Sequence, residues 1–268
     1  SVVYLNGKEI GSHMGGMTAF ELDATKGLKA GENLLALRVR SESLADMLGS
    51  LTQYAAHQLG GITRKVTLFA VPDVHLSDLR IVTDLDDDYK DADLKVYLSV
   101  TNSSDEIQKD VSVRLSLSGL PVVLSRHIPE IAAGSSWNGW LTGKVDNEHP
   151  SLYTMKIEVG TSDKVVEQIE KRFGFREIRI QGNRLLVNGK AVKLRGVCRH
   201  EMHPLTGRVM NPALERKDVE LYRDANCNFI RTSHYPPCEE LLEVCDELGM
   251  FVEVEAPVCW IGHHANEN

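Results

Sequence analysis

The 268-residue chain has no run of about 18 consecutive apolar residues, so no helical membrane span is expected. It has no excess of basic residues: 30 Lys and Arg stand against 38 Asp and Glu, for a formal net charge of −8. A long basic surface is therefore not available, and nucleic acid is not expected as a partner. It has no Cys-x-x-Cys pair, and Cys198, Cys227, Cys238, Cys245 and Cys259 all fall in the last third. An odd number without metal-ligand spacing fits neither a disulfide framework nor a structural zinc site. Small buried hydrophobes are the reading that remains. The chain opens at Ser1 directly on a strand-like pattern, which leaves localisation open. What is present is 42% hydrophobic residues with 25% charged. That supports a large core and excludes disorder.

Three patterns succeed one another. Residues 1–71 read as all-β. Val2–Leu5 runs into Asn6-Gly7 and then Lys8–Ile10, a hairpin signal because both turn residues take positive φ. Gly11-Ser12-His13-Met14 sits inside this patterned segment and is read as native sequence. Alternation in Glu32–Arg40 and Lys65–Val71 predicts two further strands, and Ser41–Gly61 reads as a long loop. Residues 72–174 carry short strands over Leu79–Val82, Leu94–Val100, Val111–Leu117, Trp137–Leu141, Leu152–Val159 and Val165–Arg172. Six to seven strands at this spacing, separated by Gly, Ser and Asn clusters, suggest an immunoglobulin-like β-sandwich. The acidic run Asp84 to Asp93 lacks the glycine and closing Glu of a calcium loop and reads as a solvated hairpin tip.

Residues 175–268 change character. Asn188-Gly189 predicts a hairpin. Strands over Val192–Val197, Asn228–Thr232 and Met250–Glu255 alternate with helices, one starting at the Asn211-Pro212 cap and one over Pro237–Leu248 with Gly249 as its stop. A β-α-β-α-β order implies a parallel sheet, and three strands are fewer than a (β/α)₈ barrel requires. In such folds the chemistry gathers at the C-terminal strand ends. Those ends hold Arg199-His200-Glu201, then Arg231 to Pro236 with His234, then Glu253 and Glu255 before Pro257 and Trp260. His200, Glu201, Arg231, His234, Glu255 and Trp260 are the candidate site residues.

The segment Leu194 to Pro204, containing Arg199-His200-Glu201-Met202-His203-Pro204, resembles the barrel entry of glycoside hydrolase family 2. Asn228-Phe229-Ile230-Arg231-Thr232-Ser233-His234-Tyr235-Pro236 is similar to that family's signature segment. Upstream, Leu5-Asn6-Gly7-Lys8, Ala30-Gly31-Glu32-Asn33 and Gly60-Gly61-Ile62-Thr63-Arg64 resemble its jelly-roll sugar-binding domain. The resemblance implies the end of a jelly roll (1–71), an immunoglobulin-like sandwich (72–174) and the first three βα units of a TIM barrel (175–268). It implies a retaining exo-β-glycosidase, of which β-galactosidase and β-glucuronidase are the notable activities. The ligand it implies is a β-linked oligosaccharide or glycoside, and it admits a homo-oligomer.

Retention needs a nucleophile and an acid/base carboxyl about 5–5.5 Å apart. The family carries them after the fourth and seventh barrel strands, so both catalytic glutamates are expected beyond this chain. Asn266-Glu267 imitates the acid/base pair but comes too early. The resemblance makes His200 and His234 sugar-subsite residues, Arg231 a cation beside the nucleophile, Glu255 a hydrogen-bond acceptor and Trp260 a platform for a sugar ring. Cys198 stands where the family usually has Asn. Cys259 and Ile261 replace the Glu and His that bind magnesium in related galactosidases, so neither a metal nor a cofactor is expected. His200-Glu201-Met202-His203 lacks zinc-hydrolase spacing, and His263 and His264 read as loop residues. The segment from His200 to Pro204 favours galactosides, while Glu255-Ala256-Pro257 points towards glucuronides. A non-catalytic carbohydrate-binding β-sandwich protein is the competing class, and the strand-end residues argue against it.

Overall fold

A computed structural model describes residues 1–16, 18–40, 61–146, 151–162 and 164–256. It divides into two compact units, one of residues 1–66 with 194–268 and one of residues 67–193. Among the described residues no helix is long and apolar enough to cross a membrane.

The first unit begins with β1 (Val2–Leu5), β2 (Lys8–Ser12) and β3 (Leu35–Arg38), a three-stranded antiparallel sheet with β1 in the centre. The Asn6-Gly7 turn has φ of 51° and 83°, as its sequence requires. The strand expected over Lys65–Val71 does not form. The alternation is there, but no described strand pairs with it. Leu68 remains 76% exposed, since apolar alternation gives a strand only where a neighbouring ladder takes up the backbone. The expected loop over 41–60 lies outside the described residues.

The second unit is a two-layer sandwich. β4 (Val74–Leu85), β5 (Asp91–Asn102) and β8 (Ser135–Asp146) form one sheet in the order β4-β5-β8. β6 (Gln108–Leu117), β7 (Val123–Ile131), β9 (Leu152–Thr161) and β10 (Lys164–Gly174) form the other, in the order β10-β9-β6-β7. Inward residues of both sheets, among them Leu94, Val96, Leu98, Val113, Leu115, Met155 and Ile157, are completely buried in one core. That is the period-two pattern of strands with one face on a core. The acidic run forms the β4–β5 hairpin tip, where the Asp86 carboxylate accepts from the Lys90 backbone N–H at 2.8 Å. β7 has no counterpart in the sequence reading. It is an edge strand with Arg126, His127 and Pro129 in its middle, and an edge tolerates a proline that a central ladder would reject. β11 (Ile178–Gln181), β12 (Arg184–Val187) and β13 (Lys190–Ala191) follow as a small antiparallel sheet around the Asn188-Gly189 turn.

The rest of the first unit is βαβαβ. β14 (Gly196–Arg199), α1 (Pro212–Asp224), β15 (Phe229–Thr232), α2 (Glu239–Leu248) and β16 (Phe251–Glu253) build a parallel sheet ordered β14-β15-β16. The strand expected over Val192–Val197 starts later, at Gly196. A Cβ on Gly196 would lie 1.7 Å from the Phe229 carbonyl oxygen, so this close approach needs glycine. Asn211 caps α1 by accepting from the Ala213 and Leu214 N–H groups. Ile230, Val219, Leu241 and Cys245 bury the face between sheet and helices.

Candidate functional site

The register of the parallel sheet sorts the strand residues into rows. Arg199 pairs laterally with Thr232, and both are buried. One residue earlier the row is Cys198, Arg231 and Glu253, on the opposite face by the period-two rule. Beyond the ends of the three strands stand His200, His234 and Glu255. The sequence reading proposed these strand ends as one polar face, and the structure brings these side chains together.

Glu255 is the meeting point. Its Oε2 lies 3.0 Å from Arg231 Nη2, and its Oε1 lies 3.4 Å from His234 Nδ1. The Glu255 backbone N–H donates to Thr232 Oγ1 at 3.0 Å, which ties the end of β16 to that of β15. Glu255 holds the Arg231 pKa above its usual value, with smaller support from Cys198 and Glu253. The His200 and His234 rings meet edge to face at a centroid separation of 5.4 Å. Burial pulls the His200 pKa below the usual 6.5, His234 and Arg208 lower it further, and Glu255 opposes them. A neutral imidazole can donate from one nitrogen and accept at the other. This face therefore offers a fixed cation, two imidazoles and a carboxylate, a set suited to the hydroxyls of a polar ligand.

Glu201 occupies a different place. It is 2% exposed. One carboxylate oxygen accepts the Cys238 backbone N–H at 2.6 Å, and the other takes an ion pair from Arg64. Trp260 lies outside the described residues, as do Cys259, Ile261, His263, His264, Asn266 and Glu267.

Beneath the site Arg199 is buried between Glu215, at 2.8 Å, and Asp218, at 2.7 Å. Burial by itself would lower its pKa, but the two carboxylates outweigh that and raise it. Burial likewise raises the Glu215 pKa, against the pull of Arg199. Ligand atoms of Glu201, Glu215 and Cys238 lie within 4.8 Å of one another. Each carboxylate already faces a guanidinium, and burial raises the thiol pKa so that sulfur keeps its proton. The chemistry of this set is that of a buried ion-pair cluster; a hard cation would need free oxygen ligands.

Arg64, Arg208 and Tyr235 are not among the six candidate site residues, although Arg64 and Tyr235 lie in segments that carry the family resemblance. Arg208 lies 4.6 Å over the Tyr235 ring, and the Tyr235 hydroxyl accepts the Glu201 backbone N–H at 3.0 Å. Tyr235 lies inside the signature segment and Arg208 directly follows Gly207. Arg64 is separated from its partner by 137 residues, and no local pattern announces such a pairing.

Comparison with known proteins places these segments. The family described as "Glycosyl hydrolases family 2" matches residues 74–176, and "Glycosyl hydrolases family 2, TIM barrel domain" matches residues 178–268. The chain is 34% identical to a putative beta-glucuronidase of Formosa agariphila, over 97% of this chain and 32% of that protein. It is 31% identical to a beta-galactosidase of Thermoanaerobacter pseudethanolicus, over 95% of this chain and 35% of that protein. The crystal structure of a Bacteroides uniformis beta-glucuronidase superposes with a TM-score of 0.85 at 28% identity, covering 96% of this chain and 32% of that one. The chain thus spans roughly a third of the length of these relatives.

Proposed function

Because the chain belongs to glycoside hydrolase family 2, we propose that it is part of a retaining exo-β-glycosidase that releases terminal β-D-galactosyl residues. The observation that carries this reading is the convergence of His200, Arg231, His234 and Glu255 at three neighbouring parallel strand ends. In this reading His200 and His234 hold sugar hydroxyls, and their hydrogen bonds strengthen as the ring flattens towards an oxocarbenium ion. Arg231, kept in place by Glu255, holds the nucleophilic carboxylate ionised and oriented. Both reacting glutamates belong to later barrel strands of the whole protein.

The galactoside preference rests on the segment from His200 to Pro204. A second reading, hydrolysis of β-glucuronides, is favoured by Glu255-Ala256-Pro257 and by the likeness to proteins named beta-glucuronidase. Assay of the full-length protein on p-nitrophenyl β-galactoside and β-glucuronide separates the two. Faster turnover of the galactoside is expected; preference for the glucuronide would transfer the assignment, and inactivity on all aryl β-glycosides would remove it.

A further inference from the structure

Glu201 directly follows His200, yet its side chain is turned away from solvent and fully engaged. Two other stretches of chain meet on it. Arg64, from the segment before the sandwich, pairs with one carboxylate oxygen. The Cys238 N–H, at the start of α2, donates to the other at 2.6 Å. The Glu201 backbone N–H donates to the Tyr235 hydroxyl at 3.0 Å. That hydroxyl lies 3.5 Å from His200 Nδ1, and the Tyr235 and His200 ring centroids are 6.0 Å apart. Arg208 packs over the Tyr235 ring.

We propose that Glu201 is a positioning residue: with Arg64 it locks the end of β14 to the β15–α2 connection and so fixes Tyr235 against His200. A buried carboxylate that loses its cation is left uncompensated. The pairs on either side of it must then shift, and Tyr235 and His200 with them. Arg64 thereby couples the N-terminal β segment to the sugar subsite, although it makes no contact with His200 itself. Only the kinetic consequence rests on the glycosidase reading.

The test uses the full-length protein, with folding verified by circular dichroism. Carbethoxylation of His200 by diethyl pyrocarbonate, followed by peptide mass mapping across roughly pH 5 to 8, reports its protonation and exposure without requiring turnover. Arg64→Gln and Tyr235→Phe are expected to shift the His200 profile. They should also lower kcat/KM on an aryl β-glycoside by about tenfold, mostly through kcat. Arg64→Lys, which keeps the charge, should recover most of the loss. Tyr235→Phe deletes a single hydroxyl and stays readable if the Arg64 variant fails to fold. An unchanged His200 profile in Tyr235→Phe would overturn the proposal, even if the melting temperature fell. A shifted profile in a protein whose wild type turns over no glycoside would sink the functional reading and leave this inference standing.

Discussion

Charge placement around His200 sets the chemistry at the residue scale. Burial, His234 and Arg208 all favour its neutral form, and Glu255 alone opposes them. The folded chain then binds fewer protons at this group than the unfolded one. Its contribution to stability is present above the usual pKa of 6.5 and is lost as pH falls through the lowered folded value. Arg208→Gln removes one of the lowering charges. The His200 titration, followed by NMR, should move up towards 6.5, and a midpoint that stays put would show that Arg208 is screened from the imidazole. His234 is the second residue to test. In the whole protein His234→Ala should lower kcat by well over about tenfold, more than ~1.4 kcal/mol of transition-state stabilisation. A normal kcat with a lower melting temperature would make His234 a structural residue.

Elements show which parts of the sequence carried their own instructions. Asn6-Gly7, Asn188-Gly189 and the Asn211-Pro212 cap were readable because a turn or a helix start is decided by a few adjacent residues. The parallel order and the polar strand ends followed from alternating periods. β7 stayed hidden because an edge strand can carry charge and proline, and the apolar Lys65–Val71 alternation misled because strand pairing is not a local property. Arg64 on Glu201 was out of reach for the same reason: a pair across the fold leaves no spacing to read. Gly196 gives the element scale its own test. Its missing Cβ lets β14 lie against β15, with the Phe229 carbonyl at 1.7 Å from where a methyl would sit. Backbone cannot yield as a side-chain tip can. Gly196→Ala should therefore cost about 1–3 kcal/mol as an overpacking change. A melting temperature within error of wild type would mean that the strands separate freely.

Across the whole molecule, the described strand ends supply three carboxylates, and each lies within ion-pair distance of a cation. Glu201 is held by Arg64, Glu253 lies 3.8 Å from Arg231, and Glu255 is shared between Arg231 and His234. Retaining hydrolysis needs two carboxyl groups about 5–5.5 Å apart across the anomeric carbon, one of them able to carry a proton at working pH. Placed in this way the three suit orienting and binding, and on the proposed reading the acid/base and the nucleophile come from other strands. The 268-residue polypeptide by itself is expected to release no p-nitrophenol from p-nitrophenyl β-galactoside or β-glucuronide. Supplying the remaining barrel strands should restore turnover through His200, Arg231 and His234. Sustained turnover by the 268 residues alone that disappears in Glu267→Gln would instead place a reacting carboxyl in the segment after residue 256. The strand-end face described here would then be a complete active site rather than the supporting half of one.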